Sequence, residues 1–388
     1  MKALIQTAYG DPDKVLELQE VRDPMPREQE VVVGIEAALV RMADVHTVAG
    51  RLGFRKPLPR TPGYEGIGRV LQVGPNVSGL QEGQRVLAPL GAGTHREQIC
   101  VPAGAVTAAP EGNAEHLALL ALNPAAAWMM LHQFSTLGEG DWIVQNAANS
   151  SVGRIIIQLA AELKLRVINV VKSATVAAEL EQEGAHAVLL DDEQLVQRVS
   201  VITKGAPVRL GLDAVGGPAT ARVIMCLAEG GVAICHGAMS GAPCEVPYDV
   251  IATRDIRVIG FNTARQLARC SAEERHKIFE RLGKLVAAGR LRAKVAGVYD
   301  IDKAIDAYLH AARVGDKRFG SVVIRFRELP PPKSDKLVSE SAAASGTDAG
   351  AAAPVAAAAT TAAAPAAATA ADGAGASAPA AGPAGTTN

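Results

Sequence analysis

The segment that decides the fold is Asp141–Gly153, with the sequence DWIVQNAANSSVG. Its first six residues predict a buried strand, and the apolar spacing from Val152 to Leu163 predicts a helix. Small residues between them let a ligand approach the backbone, and a helix start offers unpaired N–H groups and a partial positive charge. A pyrophosphate suits such a turn. Only the last glycine of G-x-G-x-x-G is present, so an ordinary polar turn stays an alternative for this segment alone.

Outward from this segment, strand and helix patterns alternate over residues 121–291. Further strand-like apolar runs are 166–171, 187–190, 210–215, 232–236 and 256–261. Apolar strands that alternate with helices predict a doubly wound parallel sheet and strengthen the prediction of dinucleotide binding. Residues 1–120 carry short alternating runs and turn clusters, which indicate a β-rich domain that residues 292–327 complete. The predicted fold class is therefore α/β, with the parallel-sheet domain inserted in a β-rich domain.

The end of the second strand of this series distinguishes between two forms of the cofactor. An NAD site usually has an acidic residue there for the ribose 2′-OH. Here the strand ends at Lys172, which Ser173 follows. A cation and a hydroxyl suit a 2′-phosphate, so NADPH is favoured over NADH. The alternative is that Lys172 is an ordinary surface lysine in the turn.

Composition and charge exclude several classes of protein. The chain has 388 residues with 39 basic and 40 acidic side chains, which gives no reason to expect binding to nucleic acid or to a membrane surface. The apolar stretch 117–131 is broken by Asn123-Pro124 and is too short to span a bilayer. We see no signal peptide. The five cysteines form no C-x-x-C pair, so reduced thiols and a cytoplasmic location are expected.

Residues 328–388 differ in composition from the rest of the chain. From 341 onward there are 25 alanines among 48 residues, with prolines that interrupt any helix. Large apolar side chains are nearly absent, so burial cannot offset the entropy of ordering. We predict a disordered tail rich in alanine, proline and glycine.

Several motifs together carry a family resemblance. Leu122-Asn123-Pro124 followed by Gly140–Gly153 resembles the medium-chain dehydrogenase/reductase superfamily, and Pro62–Gly66, Gly74–Val77 and Asp213–Gly217 match it too. Within the superfamily, Q-N-A-A-N-S-x-V-G most resembles the mitochondrial-type 2-enoyl thioester reductases. The resemblance implies a GroES-like β domain with an inserted Rossmann domain, an active site between them, and a homodimer. It also implies a set of cofactor contacts, which are Asn123, Asn149, Ser150, Ser151, Val152, Lys172, Ser173, His236, Gly237, Ala238, Met239, Phe261, Asn262 and Thr263.

The zinc alcohol dehydrogenases of this superfamily bind a catalytic metal with cysteine and histidine. The corresponding positions here hold Arg41, Tyr64 and Asn123. Zinc requires thiolate, imidazole or carboxylate ligands, and a guanidinium repels the cation. We therefore expect no metal in this site.

The chemistry that remains is hydride transfer to a polarised double bond, which needs orientation and a donor that stabilises the developing negative charge. The tyrosine that serves enoyl reductases as proton donor is replaced by Leu52. Tyr64 could donate a hydrogen bond or proton instead, and Arg41 could supply positive charge. The alternatives are a packing role for Tyr64 and an ion pair of Arg41 with Glu65 or Asp44.

Three functions follow from this chemistry. The first is a zinc-independent NADPH-dependent reductase of an activated C=C, with a 2-enoyl thioester such as enoyl-CoA or an acyl-carrier-protein thioester as substrate. The second is an NADPH:quinone oxidoreductase, since solvent can protonate a reduced quinone. The third is a protein that binds NADPH without catalysis.

Overall fold

The computed structural model describes residues 1–51, 55–313 and 320–327. Leu52 and the predicted tail at 328–388 lie outside these residues. The described chain contains a two-stranded ribbon, a six-stranded sheet and a seven-stranded sheet. The two larger sheets lie in separate parts of the sequence, and the cleft between them holds the candidate site.

The strands are numbered in chain order. They are β1 (Lys2–Gln6), β2 (Leu16–Glu20), β3 (Glu30–Val40), β4 (Gly66–Val73), β5 (Arg85–Leu87), β6 (Gln98–Pro102), β7 (Thr107–Ala108), β8 (Trp142–Gln145), β9 (Arg166–Val171), β10 (Val188–Leu190), β11 (Val208–Asp213), β12 (Val232–Cys235), β13 (Arg257–Gly260), β14 (Val295–Asp300) and β15 (Ser321–Arg325).

The helices are numbered in the same way. They are α1 (Pro12–Val15), α2 (Met42–Val48), α3 (Ala114–Leu117), α4 (Asn123–His132), α5 (Ser151–Glu162), α6 (Ala174–Gln182), α7 (Leu195–Thr203), α8 (Pro218–Met225), α9 (Tyr248–Thr253), α10 (Thr263–Arg269), α11 (Ala272–Ala287) and α12 (Ala304–Ala311). Among the described residues, no helix combines the length and the apolar composition needed to cross a bilayer.

The six-stranded sheet is parallel throughout and has the order β10-β9-β8-β11-β12-β13. This arrangement confirms the predicted doubly wound sheet. The chain moves outward from β8 to β10 and then returns to β11 on the other side of β8. In such sheets, ligands bind beyond the carboxyl ends of the strands where the order reverses. The segment Asp141–Gly153 supplies β8 and therefore lies at this switch point.

The seven-stranded sheet belongs mainly to the first 120 residues. Its order is β14-β15-β3-β4-β5-β7, and β6 also pairs with β3. Strand β15 runs antiparallel to β3, with Val322 opposite Val40 and Val323 opposite Leu39. Residues from the end of the described chain thus extend the sheet that begins near its start. The boundaries at 120 and 292 stay a prediction.

One hydrophobic cluster connects the two sheets. Leu39 and Ile67 of the first sheet share it with Met129 of α4 and with Ile143 of β8, and all four side chains are buried. Burial of these large apolar side chains stabilises the contact between the two sheets. Helix α4, which begins at Asn123, therefore packs against both sheets.

Candidate functional site

A cavity of about 340 Å³ lies between the two parts of the fold. The β-rich part supplies Arg41, Asp44, Lys56, Arg60 and Tyr64 to its lining, and the parallel-sheet part supplies Leu122 and the start of α10. The start of α10 contributes Thr263 and Ala264, and the remaining lining residues are Ala43, Thr47, Pro62, Gly63, Gly91 and Asn262. Arg41, Tyr64, Asn262 and Thr263, all expected from sequence as site residues, thus meet in one cavity.

Arg41 is held at the start of α2 by three separate contacts. Its Nε atom lies 2.7 Å from Oε1 of Glu65, and its Nη2 atom donates to Oδ1 of Asn123. Its backbone N–H donates to Oδ2 of Asp44 at 2.9 Å. The side chain therefore forms the ion pair with Glu65 that sequence left as an alternative, while also lining the cavity. Asn123 reaches the site through Arg41 and is itself buried.

Glu65 is fully buried beneath this arrangement. The pKa of its carboxyl group is raised to about 7, mainly by burial; the positive charge of Arg41 lowers it, and the charge of Asp44 raises it. Removal of a carboxyl group from water disfavours its charged form. The carboxyl group thus exchanges its proton near neutral pH, and the net charge beside Arg41 changes with it.

Tyr64 is half-buried and lines the cavity directly. Burial raises the pKa of its phenol, and the neighbouring charge of Glu65 raises it further. The phenol therefore stays protonated at neutral pH. A protonated phenol at a cavity wall can donate a hydrogen bond to an oxygen atom of a bound molecule.

The residues at the positions of the metal ligands do not fit zinc. Arg41 and Asn123 are hydrogen-bonded to one another, and Arg41 and Tyr64 line one cavity, so a guanidinium, a phenol and an amide occupy this region. None of the three is a usual zinc ligand. In the part of the chain that the structure describes, one group of histidine, cysteine and acidic side chains is close enough to share an ion: Asp213, Cys235 and Cys244.

The turn after β8 has the features of an anion site at a helix start. Ser150 is the N-cap of α5, and its Oγ accepts a hydrogen bond from Gly153 N–H at 3.1 Å. A Cβ atom at Gly153 would lie 2.5 Å from the carbonyl oxygen of Ala148, so only glycine lets the helix approach the turn this closely. Asn149 is exposed, and Ser151 and Val152 are partly exposed. The backbone at this helix start can therefore reach a phosphate.

Asp213 connects this turn to the end of β11. Its Oδ1 accepts from Asn146 Nδ2 at 2.5 Å and from the backbone N–H groups of Val215 and Gly216 at 2.9 and 3.2 Å. Its Oδ2 accepts from Thr220 Oγ1 at 2.6 Å. The fully buried carboxyl group thus holds two loops of the switch point together.

Lys172 and Ser173 follow β9 at the same edge of the sheet. Both are exposed, and no ion pair joins Lys172 to an acid among the residues described. Ser173 Oγ caps α6 by accepting from Val176 N–H at 3.3 Å, which leaves its hydroxyl proton available to donate. An unpaired ammonium beside a hydroxyl fits a 2′-phosphate.

The loop after β12 contains the expected residues His236, Gly237, Ala238 and Met239. Burial lowers the pKa of His236 to about 4, so its imidazole is neutral at pH 7. A Cβ atom at Gly237 would lie 2.6 Å from the carbonyl oxygen of Ala214, which explains a glycine there. Met239 is 68% exposed. This loop therefore offers backbone groups and an exposed thioether at the carboxyl edge of the sheet.

The segment after β13, residues 261–263, contains one residue that packs in the core and two that line the cavity. Phe261 is buried and packs edge-to-face against Phe134, with ring centroids 5.8 Å apart. Asn262 Oδ1 caps α10 by accepting from Arg265 N–H at 3.0 Å. The side chain of Phe261 is thus part of the core, while Asn262 and Thr263 line the cavity.

Among the lining residues that sequence reasoning missed as site residues, three carry charged side chains. Asp44, Lys56 and Arg60 face the cavity, yet Asp44 was considered only as a partner of Arg41. The signal for the cations was present, because residues 51–60 contain four basic side chains and no acid. Leu52, which stands at the position of the tyrosine that serves enoyl reductases as proton donor, lies outside the described residues.

Two family models match the chain. The "Alcohol dehydrogenase GroES-like domain" covers residues 27–116, and the "Zinc-binding dehydrogenase" model covers residues 151–280. The first confirms the expected GroES-like domain. The second carries a name that refers to zinc, whereas the residues described above do not fit that ion.

Known relatives agree with the resemblance. The human protein "Enoyl-[acyl-carrier-protein] reductase, mitochondrial" is 32% identical over 317 residues, which are 79% of this chain and 85% of the relative. A solved putative NADPH:quinone reductase from Bacillus thuringiensis has a TM-score of 0.75 and 27% identity, covering 84% of this chain and 98% of its own. A mycobacterial protein solved in complex with NADPH has a TM-score of 0.71 and 26% identity, covering 84% of this chain and 100% of its own.

The raised pKa of Glu65 predicts a pH-dependent stability. Its folded pKa of about 7 lies above its ordinary 4.5, so the folded protein binds this proton more tightly and loses stability as pH rises from about 4.5 to 7. Glu65→Gln removes this dependence. As the pH rises from 5 to 8, the free energy of unfolding of the variant should increase by roughly 2–3 kcal/mol relative to that of wild type. Chemical denaturation at each pH measures this difference.

Glu82→Gln is the matched control, because Glu82 is exposed in a turn. Its unfolding free energy should follow that of wild type across the same pH range. Parallel curves for wild type and Glu65→Gln would contradict the raised pKa.

Proposed function

Because the chain belongs to the medium-chain dehydrogenase/reductase superfamily, we propose that it is an NADPH-dependent reductase that transfers a hydride to an activated carbon–carbon double bond. The proposed substrate is a 2-enoyl thioester, carried by coenzyme A or by an acyl carrier protein. The observation that carries this proposal is the interdomain cavity, where a guanidinium and a phenol stand at the positions of metal ligands. The 32% identity to the human enoyl reductase supports it.

The proposed cofactor is held at the carboxyl edge of the parallel sheet. Its pyrophosphate meets the start of α5 at Asn149, Ser150, Ser151 and Val152, and its 2′-phosphate meets Lys172 and Ser173. The remaining contacts come from Asn123, the 236–239 loop and residues 261–263. When bound, the cofactor supplies the hydride.

The cavity residues orient the substrate and stabilise the charge that develops on it. Tyr64 donates a hydrogen bond to the thioester carbonyl oxygen, where negative charge grows as the hydride arrives. Arg41 adds positive charge at the same wall, and Glu65 sets how much of that charge is neutralised. Tyr64 is also our candidate donor of the proton, in place of the tyrosine that Leu52 replaces. No step needs a metal.

Quinone reduction is the second candidate. The putative NADPH:quinone reductase from Bacillus thuringiensis, at 27% identity over nearly its whole chain, favours it specifically. A reduced quinone takes its protons from solvent and so needs less from Tyr64. The same cofactor site serves either substrate.

The assembly, location and domain limits belong to the same proposal. We propose a homodimer in the cytoplasm, with a catalytic domain of residues 1–120 completed by 292–327 and a cofactor domain of residues 121–291. The family resemblance supports the dimer, and the absence of a C-x-x-C pair among the five cysteines supports a reducing compartment.

A substrate panel tests the proposed function. NADPH oxidation is followed at 340 nm with crotonyl-CoA and, separately, with 1,4-benzoquinone. Turnover with crotonyl-CoA is expected, and turnover with the quinone alone would support the second candidate. If both are inert while NADPH raises the melting temperature, the protein binds the cofactor without this catalysis.

Lys172→Glu tests the 2′-phosphate contact. A carboxylate at this position repels the phosphate, so the ratio of kcat/KM for NADPH to that for NADH should fall about tenfold, or ~1.4 kcal/mol. Lys303→Glu is the matched control, since Lys303 is also exposed but lies in the other domain. If the ratio of kcat/KM for NADPH to that for NADH is the same in the two variants, Lys172 does not contact the 2′-phosphate.

Tyr64→Phe tests the phenol. If the phenol acts in the transition state, kcat should fall about 100-fold while KM changes little. Tyr248→Phe is the matched control, because that side chain is 79% exposed. A wild-type kcat for Tyr64→Phe would return Tyr64 to a packing role.

A further inference from the structure

Two cysteines, one at the end of β12 and one in the loop that follows, come together at the carboxyl edge of the parallel sheet. Cys235 is the last residue of β12 and lies beside Asp213 in the parallel register of β11 and β12. Cys244 is exposed in the loop that follows. The two Sγ atoms lie within 4.8 Å of each other and of an Asp213 oxygen.

The loop is folded so that Cys244 returns to this strand end. Met239 N–H donates to the carbonyl oxygen of Ala214 at 3.1 Å, which anchors the outgoing side of the loop. Gly217 N–H donates to the carbonyl oxygen of Pro243 at 3.1 Å, and Glu245 N–H donates to that of Gly217 at 3.3 Å, so both neighbours of Cys244 are held. The thiol proximity is thus fixed by backbone hydrogen bonds on both sides.

A metal ion is a poor occupant for this cluster. The two oxygens of Asp213 already accept four hydrogen bonds from Asn146, Val215, Gly216 and Thr220. A carboxyl group so engaged would have to give up buried hydrogen bonds to coordinate an ion. Two thiols alone do not complete a zinc site, which takes at least three protein ligands.

We propose that Cys235 and Cys244 form a dithiol site that is oxidised to a disulfide by low-molecular-weight disulfides. The exposed Cys244 thiolate attacks one sulfur of the oxidant RSSR, its S–S bond breaks, and one RS⁻ leaves. The Cys235 thiolate then attacks Cys244 Sγ and expels the second RS⁻. The protein loses two hydrogens as protons and two electrons, and RSSR is reduced to two RSH.

The environment of the two thiols assigns their order of reaction. Burial, together with the charges of Cys244 and Asp213, raises the pKa of Cys235 to about 12, so this thiol is a slow nucleophile toward outside reagents. Cys244 is the accessible partner. Cys235 attacks only because its target is held beside it, as in other intramolecular reactions of high effective concentration.

The disulfide closes the loop that contains His236, Gly237, Ala238 and Met239. A new covalent bond between Cys235 and Cys244 restricts the loop to conformations near its present fold. The segment proposed to contact the cofactor thereby becomes less mobile. This consequence for the cofactor rests on the proposed function, whereas formation of the disulfide does not.

Mass spectrometry of the full chain tests the proposal. Reduced protein is incubated with glutathione disulfide, alkylated with N-ethylmaleimide and digested with Glu-C. Cleavage after Glu229 and Glu245 releases a peptide, residues 230–245, that contains Cys235 and Cys244 but no other cysteine. The expected peptide is unalkylated and two hydrogens lighter than its dithiol form. A doubly alkylated peptide, or one that retains glutathione on Cys244 with Cys235 alkylated, overturns the proposal.

Variants separate the pair from the other thiols. Cys235→Ser should retain a stable glutathione adduct on Cys244, because no resolving thiol remains. Cys270→Ser is the matched control and should leave the 235–244 link unchanged. In wild type, amide hydrogen exchange of residues 237–242 should slow at least about threefold on oxidation. An unchanged rate in protein shown to be linked would contradict the loop restriction.

Discussion

The arrangement of the loops at the carboxyl edge of the parallel sheet, where the cofactor is proposed to bind, depends on the buried carboxyl group of Asp213. It accepts from Asn146 in the loop after β8, from two backbone N–H groups of its own turn, and from Thr220 of α8. A buried acceptor that lost these donors would pay a desolvation cost of about 1–3 kcal/mol or more. The loop that starts α5 and the turn that supports the 236–245 loop are therefore fixed relative to each other before any ligand binds.

The candidate catalytic residues depend on a second buried carboxyl group, that of Glu65. Its ion pair with Arg41 occupies the wall where a zinc enzyme of this superfamily would hold its metal. Arg41 in turn reaches Asn123, so the pair also connects the β-rich part of the fold to the first residue of α4. In the proposed mechanism, the guanidinium of Arg41 supplies the positive charge that a metal ion supplies in a zinc enzyme, and Tyr64, which lines the same cavity, supplies a hydrogen-bond donor.

Much of the fold was predictable from sequence because its signals are local. The apolar runs and helical spacing within residues 121–291 predicted the parallel sheet, and the small residues between β8 and α5 predicted the switch-point turn. Contacts between distant residues were not predictable in this way. Asp213 and Asn146 are 67 residues apart along the chain, and no periodicity reveals that one accepts a hydrogen bond from the other. Likewise, Asp44, Lys56 and Arg60 reach the cavity through the folding of the first domain, and Phe261 is distinguished as a packing residue only by its contact with Phe134.

The most direct test of this account is a crystal structure of the protein with NADPH. The account predicts pyrophosphate density against the backbone at residues 149–152 at the start of α5, the 2′-phosphate beside Lys172 and Ser173, and the nicotinamide directed toward the cavity that Arg41 and Tyr64 line. Density for the dinucleotide at any other place, or none in crystals saturated with NADPH, would contradict it.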